Sequence, residues 1–214
     1  MGKRAVKRVL GVVLIFAMLV TILPMKPQRV MAASENRITG VKSTYNKTIE
    51  SRNFTLKAQA NGAELFFTSS DSEVATVDSK TGLVTIVGMG RTVITITSQP
   101  TKKYKATSKT VTLTVKPKKV DVKSAKTLKK RNLTYRWEKH LGASGYHIQL
   151  STSSKFKTKV TKSIRIGGVN VTGCNFNKLT SQRTYYVRIR AYKTVSGNDK
   201  AYGAWSKTSR VKVK

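Results

Sequence analysis

The chain has 214 residues, 39% of them hydrophobic, which allows one or two domains with ordinary small cores and excludes global disorder. Its 42 lysines and arginines far outnumber its 9 aspartates and glutamates, and the resulting net charge of +33 predicts a salt-dependent attraction to polyanions. The single cysteine, Cys174, excludes an intramolecular disulfide, a thiolate zinc site and a Cys-ligated cluster. We expect it to be a small buried side chain on a strand.

Residues 1–33 have the pattern of a secretory signal peptide. Basic residues precede an apolar run from Val9 to Leu23, which is shorter than the ~20 residues that a membrane-spanning helix needs. Small residues follow at the positions that a signal peptidase reads, so the mature chain is expected to begin at Ala33 or Ser34 and to be secreted. An uncleaved membrane anchor is the alternative. We expect no transmembrane span after cleavage, no lipid-modified N-terminus and no C-terminal anchor.

After residue 34, apolar and polar residues alternate with a period of two, which is typical of half-buried antiparallel strands. The apolar members of these alternations are Phe54, Leu56, Ala58; Val84, Ile86; Ile94, Ile96; Val111, Leu113, Val115; Leu133, Tyr135, Trp137; Tyr146, Ile148, Leu150; Tyr185, Val187, Ile189, Ala191; Val211 and Val213. Turn signals such as Asn61-Gly62 separate them. The pattern predicts an all-β fold with two tandem immunoglobulin-like β-sandwiches, over residues 34–116 and 117–214, joined by the linker 116–119.

The basic residues are divided unevenly between these two regions. Residues 34–116 hold 12 basic and 6 acidic side chains, a net charge of +6. Residues 117–214 hold 24 basic and 3 acidic side chains, a net charge of +21. Attraction to a polyanion is therefore predicted to reside mainly in the second region.

The first region resembles a bacterial Ig-like group 2 domain over roughly residues 36–116. The resemblance rests on the run SSDSEVATVD from Ser69 to Asp78, on TGLVT at 81–85, on GMG at 88–90 and on VITIT at 93–97. It implies a β-sandwich. Phe67 stands where an indole is often found in that family, and the same role in the core is implied.

The second region resembles a bacterial fibronectin type III domain over residues 118–214. The resemblance rests on four segments: YRW at 135–137, ASGYHIQLST at 143–152, YYVRIRAY at 185–192 with Leu179 ahead of it, and YGAWS at 202–206. Leu179 and Tyr185 resemble a tyrosine corner, in which the hydroxyl bonds to upstream backbone. Trp137, in phase with its strand, is expected to fill the core. Both families are common on exported proteins of Gram-positive bacteria, as spacers, adhesins or substrate-holding accessories.

The residue patterns of common catalytic and metal sites are missing from the sequence. His140 and His147 have no Cys or acidic cluster beside them, so we predict no metal site, no cofactor and no enzyme activity. His147 is expected to be exposed to solvent. The segment 142–145 is interpreted as a turn and not as a nucleophile elbow. The acidic residues of 71–78 are interpreted as structural rather than as calcium ligands.

One group of polar residues is predicted to form a binding face. If Tyr185 and its alternating neighbours point inward, the residues between them point outward, beside outward residues of two neighbouring strands. The predicted ligand-binding residues are Tyr186, Arg188, Arg190, Tyr192, His147, Gln149, Arg210 and Lys212, with Lys214 beyond them. The arginines would bond phosphate, and the outer tyrosines would pack on sugar rings. Replacing Arg188 and Arg190 is then expected to change binding and to leave stability almost unchanged. Tyr–Arg stacking that only stabilises the sheet is the alternative.

The sequence therefore predicts a secreted, non-enzymatic cell-surface binding or adhesion protein. Its partner would be an anionic cell-wall polymer or carbohydrate, with other surface proteins as further possible partners. The charge would hold it at the cell wall. No specific nucleic-acid partner is expected, because no recognition fold is visible. The alternative function is a structural spacer or accessory module pair with no ligand of its own.

Overall fold

The computed structural model describes residues 32–214, so the predicted signal peptide lies outside the described residues, apart from its last two positions. Residues 33–214 form one compact unit built from β-strands, with a single short 3-10 helix at Thr158–Val160. The predicted all-β fold is therefore confirmed. No helix in this part of the chain is long and apolar enough to cross a membrane.

The first sandwich contains two sheets formed by seven strands. These strands are β1 Thr44–Thr48, β2 Phe54–Thr55, β3 Leu65–Ser69, β4 Ala75–Val77, β5 Leu83–Ile86, β6 Gly90–Ser98 and β7 Thr107–Lys116. One sheet has the order β1-β7-β6-β3 and the other β2-β5-β4. Strand β1 runs parallel to β7, and all the other pairs are antiparallel.

The second sandwich contains eight strands. They are β8 Val122–Lys126, β9 Leu133–Trp137, β10 Gly145–Ser151, β11 Thr161–Gly167, β12 Gly173–Phe176, β13 Thr184–Ser196, β14 Asp199–Tyr202 and β15 Ser209–Lys212. Strands β12, β9 and β8 form one sheet. The other sheet has the order β11-β10-β13, and the long strand β13 pairs with β14 along one part of its length and with β15 along another.

Each sandwich has its own hydrophobic core. The core of the first is formed by side chains between Ile38 and Val115, and it includes Phe67, which is 3% exposed, as the resemblance implied. The core of the second is formed by side chains between Val120 and Val213. Division into independently folding modules stays a prediction.

Two predicted features of the second core are confirmed. Trp137 is 2% exposed, and its ring centroid lies 5.3 Å from that of Tyr146. Tyr185 forms the tyrosine corner, since its hydroxyl oxygen accepts a hydrogen bond from the backbone N–H of Thr180 at 3.1 Å. Trp137 of β9 thus packs across the core onto β10, and the tyrosine corner ties the start of β13 to the loop that precedes it.

The segment between the sandwiches packs against the second of them. Pro117 is buried. A Cβ atom added at Gly203 would lie 2.7 Å from the carbonyl oxygen of Pro117, so only glycine allows this approach. Nearby, the guanidinium of Arg91 forms a 2.6 Å salt bridge with Asp199. The predicted linker is thus a packed connection.

Candidate functional site

The outward row of β13 is placed as the alternation predicted. Val187, Ile189 and Ala191 are fully buried in the core, and Tyr185 is 8% exposed. The four side chains between and beyond them, at positions 186, 188, 190 and 192, therefore lie on the opposite face of the sheet.

The neighbouring strands also bring the predicted residues together. In β10, His147 lies opposite Arg190 and Gln149 lies opposite Arg188. In β15, Arg210 lies opposite Tyr186, and Lys212 lies opposite Thr184. The predicted set therefore shares one face of one sheet.

This face is not open, because a side chain from the segment between β14 and β15, which runs along the edge of β13, covers it. Ser206 holds this segment to β13: its backbone N–H donates to the carbonyl oxygen of Ile189 at 2.7 Å, and its hydroxyl accepts from the Ile189 N–H at 3.1 Å. The preceding residue, Trp205, then lies over the outward row. Its ring centroid is 4.3 Å from the guanidinium carbon of Arg188 and 4.3 Å from that of Arg190.

Two further rings extend this stack at its ends. The ring of Phe156 lies 4.0 Å from the guanidinium carbon of Arg188, and that of Tyr202 lies 4.0 Å from the guanidinium carbon of Arg190. The order Phe156–Arg188–Trp205–Arg190–Tyr202 is called the arginine ladder below. Each of its four contacts is a cation–π interaction, worth about 0.5–2 kcal/mol depending on how far the cation is desolvated.

Hydrogen bonds along the sheet fix the two guanidinium groups of the ladder. Nε and Nη2 of Arg188 donate to Oε1 of Gln149 at 2.9 and 2.6 Å. Nε and Nη2 of Arg190 approach Nδ1 of His147, both at 3.2 Å. Among residues 32–214, Nη1 of neither arginine has a hydrogen-bond partner, so each keeps donors that a ligand could use.

The prediction that His147 is exposed to solvent is wrong. Its side chain does point outward, but the residue is only 5% exposed, because the rings of Trp205 and Tyr202 cover it at centroid distances of 5.0 and 5.7 Å. Burial, followed by the charges of Arg190, Arg165 and Arg188, lowers the pKa of His147 to about 4. The imidazole is therefore neutral near pH 7.

The neutral tautomer of His147 follows from its partners. Arginine has no acceptor atom, so Nδ1 must accept from Arg190 and Nε2 must carry the proton. Nε2 then donates to the hydroxyl of Ser163 on β11 at 2.7 Å. His147 thereby connects three strands of the sheet.

The prediction that Tyr192 is available to a ligand is also wrong. The residue is 7% exposed, and its ring packs against Tyr202 at 5.9 Å. A Cβ atom at Gly145 would lie 2.7 Å from the Tyr192 hydroxyl oxygen, so glycine on β10 leaves the space that this side chain fills. Tyr186, by contrast, is half-buried and lies outside the ladder.

Arg188 and Arg190 therefore do not form the open cationic face that the sequence predicted. Both are stacked between rings and bonded to the neighbouring strand. The expectation that replacing them leaves stability almost unchanged is incompatible with these contacts. The alternative weighed from the sequence, stacking that stabilises the sheet, describes them better, although the aromatic partners are Phe156, Trp205 and Tyr202 and not the tyrosines of β13 itself.

The exposed positive charge of this sheet comes from residues around the ladder. Arg165, Arg210, Lys212 and Lys214 are exposed. Among residues 32–214 none of the four forms a salt bridge, although Nε of Arg165 donates to the Tyr202 hydroxyl at 3.0 Å.

Two of the three carboxylates of the second sandwich are bound elsewhere. Asp199 pairs with Arg91 of the first sandwich, and Glu138 pairs with Lys123 on β8. The third, Asp121, lies ahead of β8, in the chain that enters the opposite sheet. The outward face of the strands β10, β11, β13 and β15 therefore carries cations with no carboxylate among them.

Four residues of the site were not predicted from the sequence. They are the ladder rings of Phe156, Trp205 and Tyr202, and Ser163, which is hydrogen-bonded to His147. Trp205 was part of the segment 202–206 that carried the resemblance, but nothing in the sequence placed it over β13. Phe156 has a φ of 51°, which is uncommon for an aromatic residue, and this could not be predicted from composition. Ser163 lies on the edge strand β11, whose short alternation of Ile164 and Ile166 was not recognised in the sequence.

Other candidate groups have structural roles. The carboxylate of Asp78 accepts hydrogen bonds from the backbone N–H groups of Lys80 and Thr81, which confirms its interpretation as a turn residue and lowers its pKa. Cys174 lies on β12 as predicted but is only half-buried, and burial raises the pKa of its thiol to about 11. Among residues 32–214 no three His, Cys, Asp or Glu side chains are grouped so that they could hold a metal ion.

One protein-family description matches part of the chain. Residues 52–99, in the first sandwich, match "Intimin, immunoglobulin-like domain". This supports an immunoglobulin-like domain there, and the finer assignment to group 2 stays a prediction. No curated protein matches the chain.

Two solved structures are partly similar to the chain. The FN1–FN3 domains of chicken CNTN1 are 15% identical, with a TM-score of 0.39, and the match covers 72% of this chain and 55% of the CNTN1 fragment. A fibronectin type III domain from the human KIAA0970 protein is 16% identical, with a TM-score of 0.33, and the match covers 44% of this chain and 73% of that domain. The sandwich architecture itself rests on the strand pairing described above.

Proposed function

We propose that this chain is a non-enzymatic cell-surface binding protein whose second sandwich attaches to an anionic polymer of the cell surface. The match of its first sandwich to an immunoglobulin-like domain of intimin supports a surface location, and the signal-peptide pattern of residues 1–33 supports export. Immunoglobulin-like and fibronectin type III folds are typically binding or structural domains.

The observation that carries the proposal is the distribution of charge. Residues 117–214 hold 24 basic and 3 acidic side chains, and two of those three carboxylates already form salt bridges. The exposed cations Arg165, Arg210 and Lys212 surround a ladder whose arginines keep unused Nη1 donors. Attachment would come from several weak contacts acting together, each worth about 0–1 kcal/mol.

A spacer or accessory role is the second candidate, and the ladder favours it. Its arginines are already stacked and hydrogen-bonded within the sandwich, as they would be if they only stabilised the sheet. The two candidates differ in one measurable property, which is whether the folded chain binds a polyanion.

The test compares two pairs of charge substitutions that leave the ladder intact. The face variant is Arg210→Gln with Lys212→Gln, and the matched control is Lys102→Gln with Lys103→Gln, on the first sandwich. Binding to immobilised poly(glycerol phosphate) is measured between about 0.05 M and about 0.5 M salt. Raising the salt concentration shortens the screening length, so electrostatic binding should weaken across this range.

We expect the face variant to weaken binding by about three- to tenfold at low salt and the control to change it by less than about twofold. Equal losses in both variants would show that only the overall charge matters and that the face is not a site. Absence of binding by the unsubstituted protein at low salt would leave the spacer as the function.

A further inference from the structure

A groove runs along the second sandwich between the edges of its two sheets. Within residues 32–214, β8 pairs only with β9 and β15 pairs only with β13, so in this part of the chain each presents an edge without a partner strand. The groove has a volume of about 550 Å³ and is lined by residues 119–125 on one side and 207–210 on the other. It begins beside the connection between the sandwiches and ends at Arg210, on the border of the cationic face.

The cations on the two walls of this groove are available to a ligand. Lys119 lies on one wall, and Lys207 and Arg210 lie on the other. All three are exposed, and none forms a salt bridge with any residue of the described chain. Positive charge therefore faces the groove from both sides, which favours an anion between the walls.

Neutral hydrogen-bond donors accompany these charges. The hydroxyls of Ser124 and Thr208 line opposite walls, and neither side chain makes a hydrogen bond within residues 32–214. The backbone N–H groups on a free strand edge are additional donors. Lysine, arginine, hydroxyl and backbone donors together suit oxyanions such as phosphate.

One carboxylate, that of Asp121, also lines the groove and opposes an anion there. It lies near Lys118 and Lys123, and its charge helps to raise the pKa of both, behind the hydrogen bonds that these lysines make to Glu50 and Glu138. The charge of Asp121 is thus partly offset by two lysines that are themselves paired with glutamates and are not among the three unpaired cations of the groove.

The groove has no aromatic side chain among its lining residues. Proteins that bind single-stranded nucleic acid use aromatic rings on which the bases stack. The rings of Trp205, Tyr202 and Phe156 stack on arginines of the ladder, and Tyr186, which lies opposite Arg210, is not among the residues that line the groove. A narrow charged track without stacking rings fits a flexible phosphodiester chain that has no bases.

We propose that the groove between β8 and β15 is the binding track for a linear polyol phosphodiester, such as a poly(glycerol phosphate) chain. Lys119, Lys207 and Arg210 would neutralise successive phosphates, and Ser124 and Thr208 would donate hydrogen bonds to them. This proposal rests on the proposed function, because it specifies where the anionic polymer lies and what its chemistry is.

The experiment measures the affinity of the full chain for fluorescently labelled poly(glycerol phosphate). Three groove variants are compared: Lys119→Gln with Lys207→Gln, which removes two charges; Thr208→Trp, which fills the groove at constant charge; and Asp121→Asn, which removes the opposing carboxylate. We expect the first two to weaken binding by about five- to tenfold and Asp121→Asn to strengthen it by about two- to fivefold.

Two controls are matched to these changes on the first sandwich. Lys102→Gln with Lys103→Gln removes the same charge, and Thr110→Trp adds the same ring at an exposed strand position. Both should alter the affinity by less than about twofold. The Asp121→Asn variant keeps the test decisive if a groove variant folds poorly, because misfolding does not strengthen binding.

Each outcome has a separate meaning. Groove variants that bind like the unsubstituted protein, while Arg210→Gln with Lys212→Gln weakens binding, would overturn the groove and leave the proposed function standing. If Thr208→Trp leaves the affinity unchanged, the polymer does not lie in the groove and is held only by the surrounding positive charge. Tighter binding of single-stranded DNA than of poly(glycerol phosphate), lost in the same variants, would identify a nucleic-acid groove instead. If the unsubstituted chain binds no polyanion, both proposals fail.

Discussion

The two sandwiches have hydrophobic cores of the same kind. They differ in the side chains on the outer face of the larger sheet. In the first sandwich, most outward partners on β6 and β7 are small and neutral, such as Thr95 opposite Thr110. In the second, the outward partners are Arg188 with Gln149 and Arg190 with His147. The neutral face of the first sandwich is not covered in this way, whereas the Trp205 ring, from the segment along the edge of β13, covers the arginine face.

This difference shows where a sandwich acquires specific properties. Alternating apolar residues make an equally good core in both halves, so the core does not distinguish them. The outward residues do, because they determine the charge, the stacking and the surface that a partner meets. Experiments that change one sandwich and leave the other unaltered can test this comparison.

The largest effect is expected from the cores. Trp137→Ala should lower the free energy of unfolding by about 3–5 kcal/mol, because it leaves a large cavity next to Tyr146. Ile96→Ala, at a fully buried position of the first core, should lower it by about 2–5 kcal/mol. Calorimetry should show each substitution lowering the transition of its own sandwich only. A single transition lowered by both would contradict independent folding of the two halves.

The arginine ladder should have the next largest effect. Trp205→Ala removes two cation–π contacts and the cover over His147, so a loss of about 1–3 kcal/mol is expected in denaturant unfolding. Trp205→Phe keeps a ring between the arginines and should recover about half of this loss. A Trp205→Ala protein as stable as the unsubstituted one would mean that the stacked arrangement contributes nothing to the second sandwich.

The effect that is smallest at neutral pH is that of His147 protonation, which develops only in acid and again separates the sandwiches. The pKa of His147 is about 4 in the folded chain against an ordinary value of 6.5, so as the pH falls the unfolded chain takes up the proton first. The contribution of the neutral His147 to the free energy of unfolding is fully present above pH 6.5. It is lost as the pH falls towards 4. We expect the loss to be about 1–3 kcal/mol, and His147→Gln should reduce this acid sensitivity.

NMR titration of the imidazole provides the direct measurement for the same prediction. In the unsubstituted protein the His147 resonance should titrate well below pH 6, and in Trp205→Ala it should move towards the ordinary value as the ring is uncovered. An ordinary pKa in the unsubstituted protein would contradict the buried, neutral imidazole.

Much of the fold could be predicted because buried strands have a visible pattern. Val187, Ile189 and Ala191 alternate with polar residues, and all three lie in the core of the second sandwich. Some edge strands were predicted, such as β15 with Val211, but β11 was not. Only Ile164 and Ile166 of β11 pack against the core, and its other face is mostly exposed, so its alternation is too short to stand out in the sequence. Its position is determined largely by backbone hydrogen bonds to β10.

The candidate site was predicted in the same partial way. A period of two determines on which side of a strand a residue lies, and this was sufficient to place Arg188, Arg190, His147 and Gln149 on one face. It contains no information about which side chains from other segments lie over that face. Trp205 and Phe156 come from distant parts of the chain, and only the tertiary structure brings their rings to the arginines. His147 and Tyr192 are therefore outward, as the sequence alone determined, and buried, as only the packing of a connecting segment could decide.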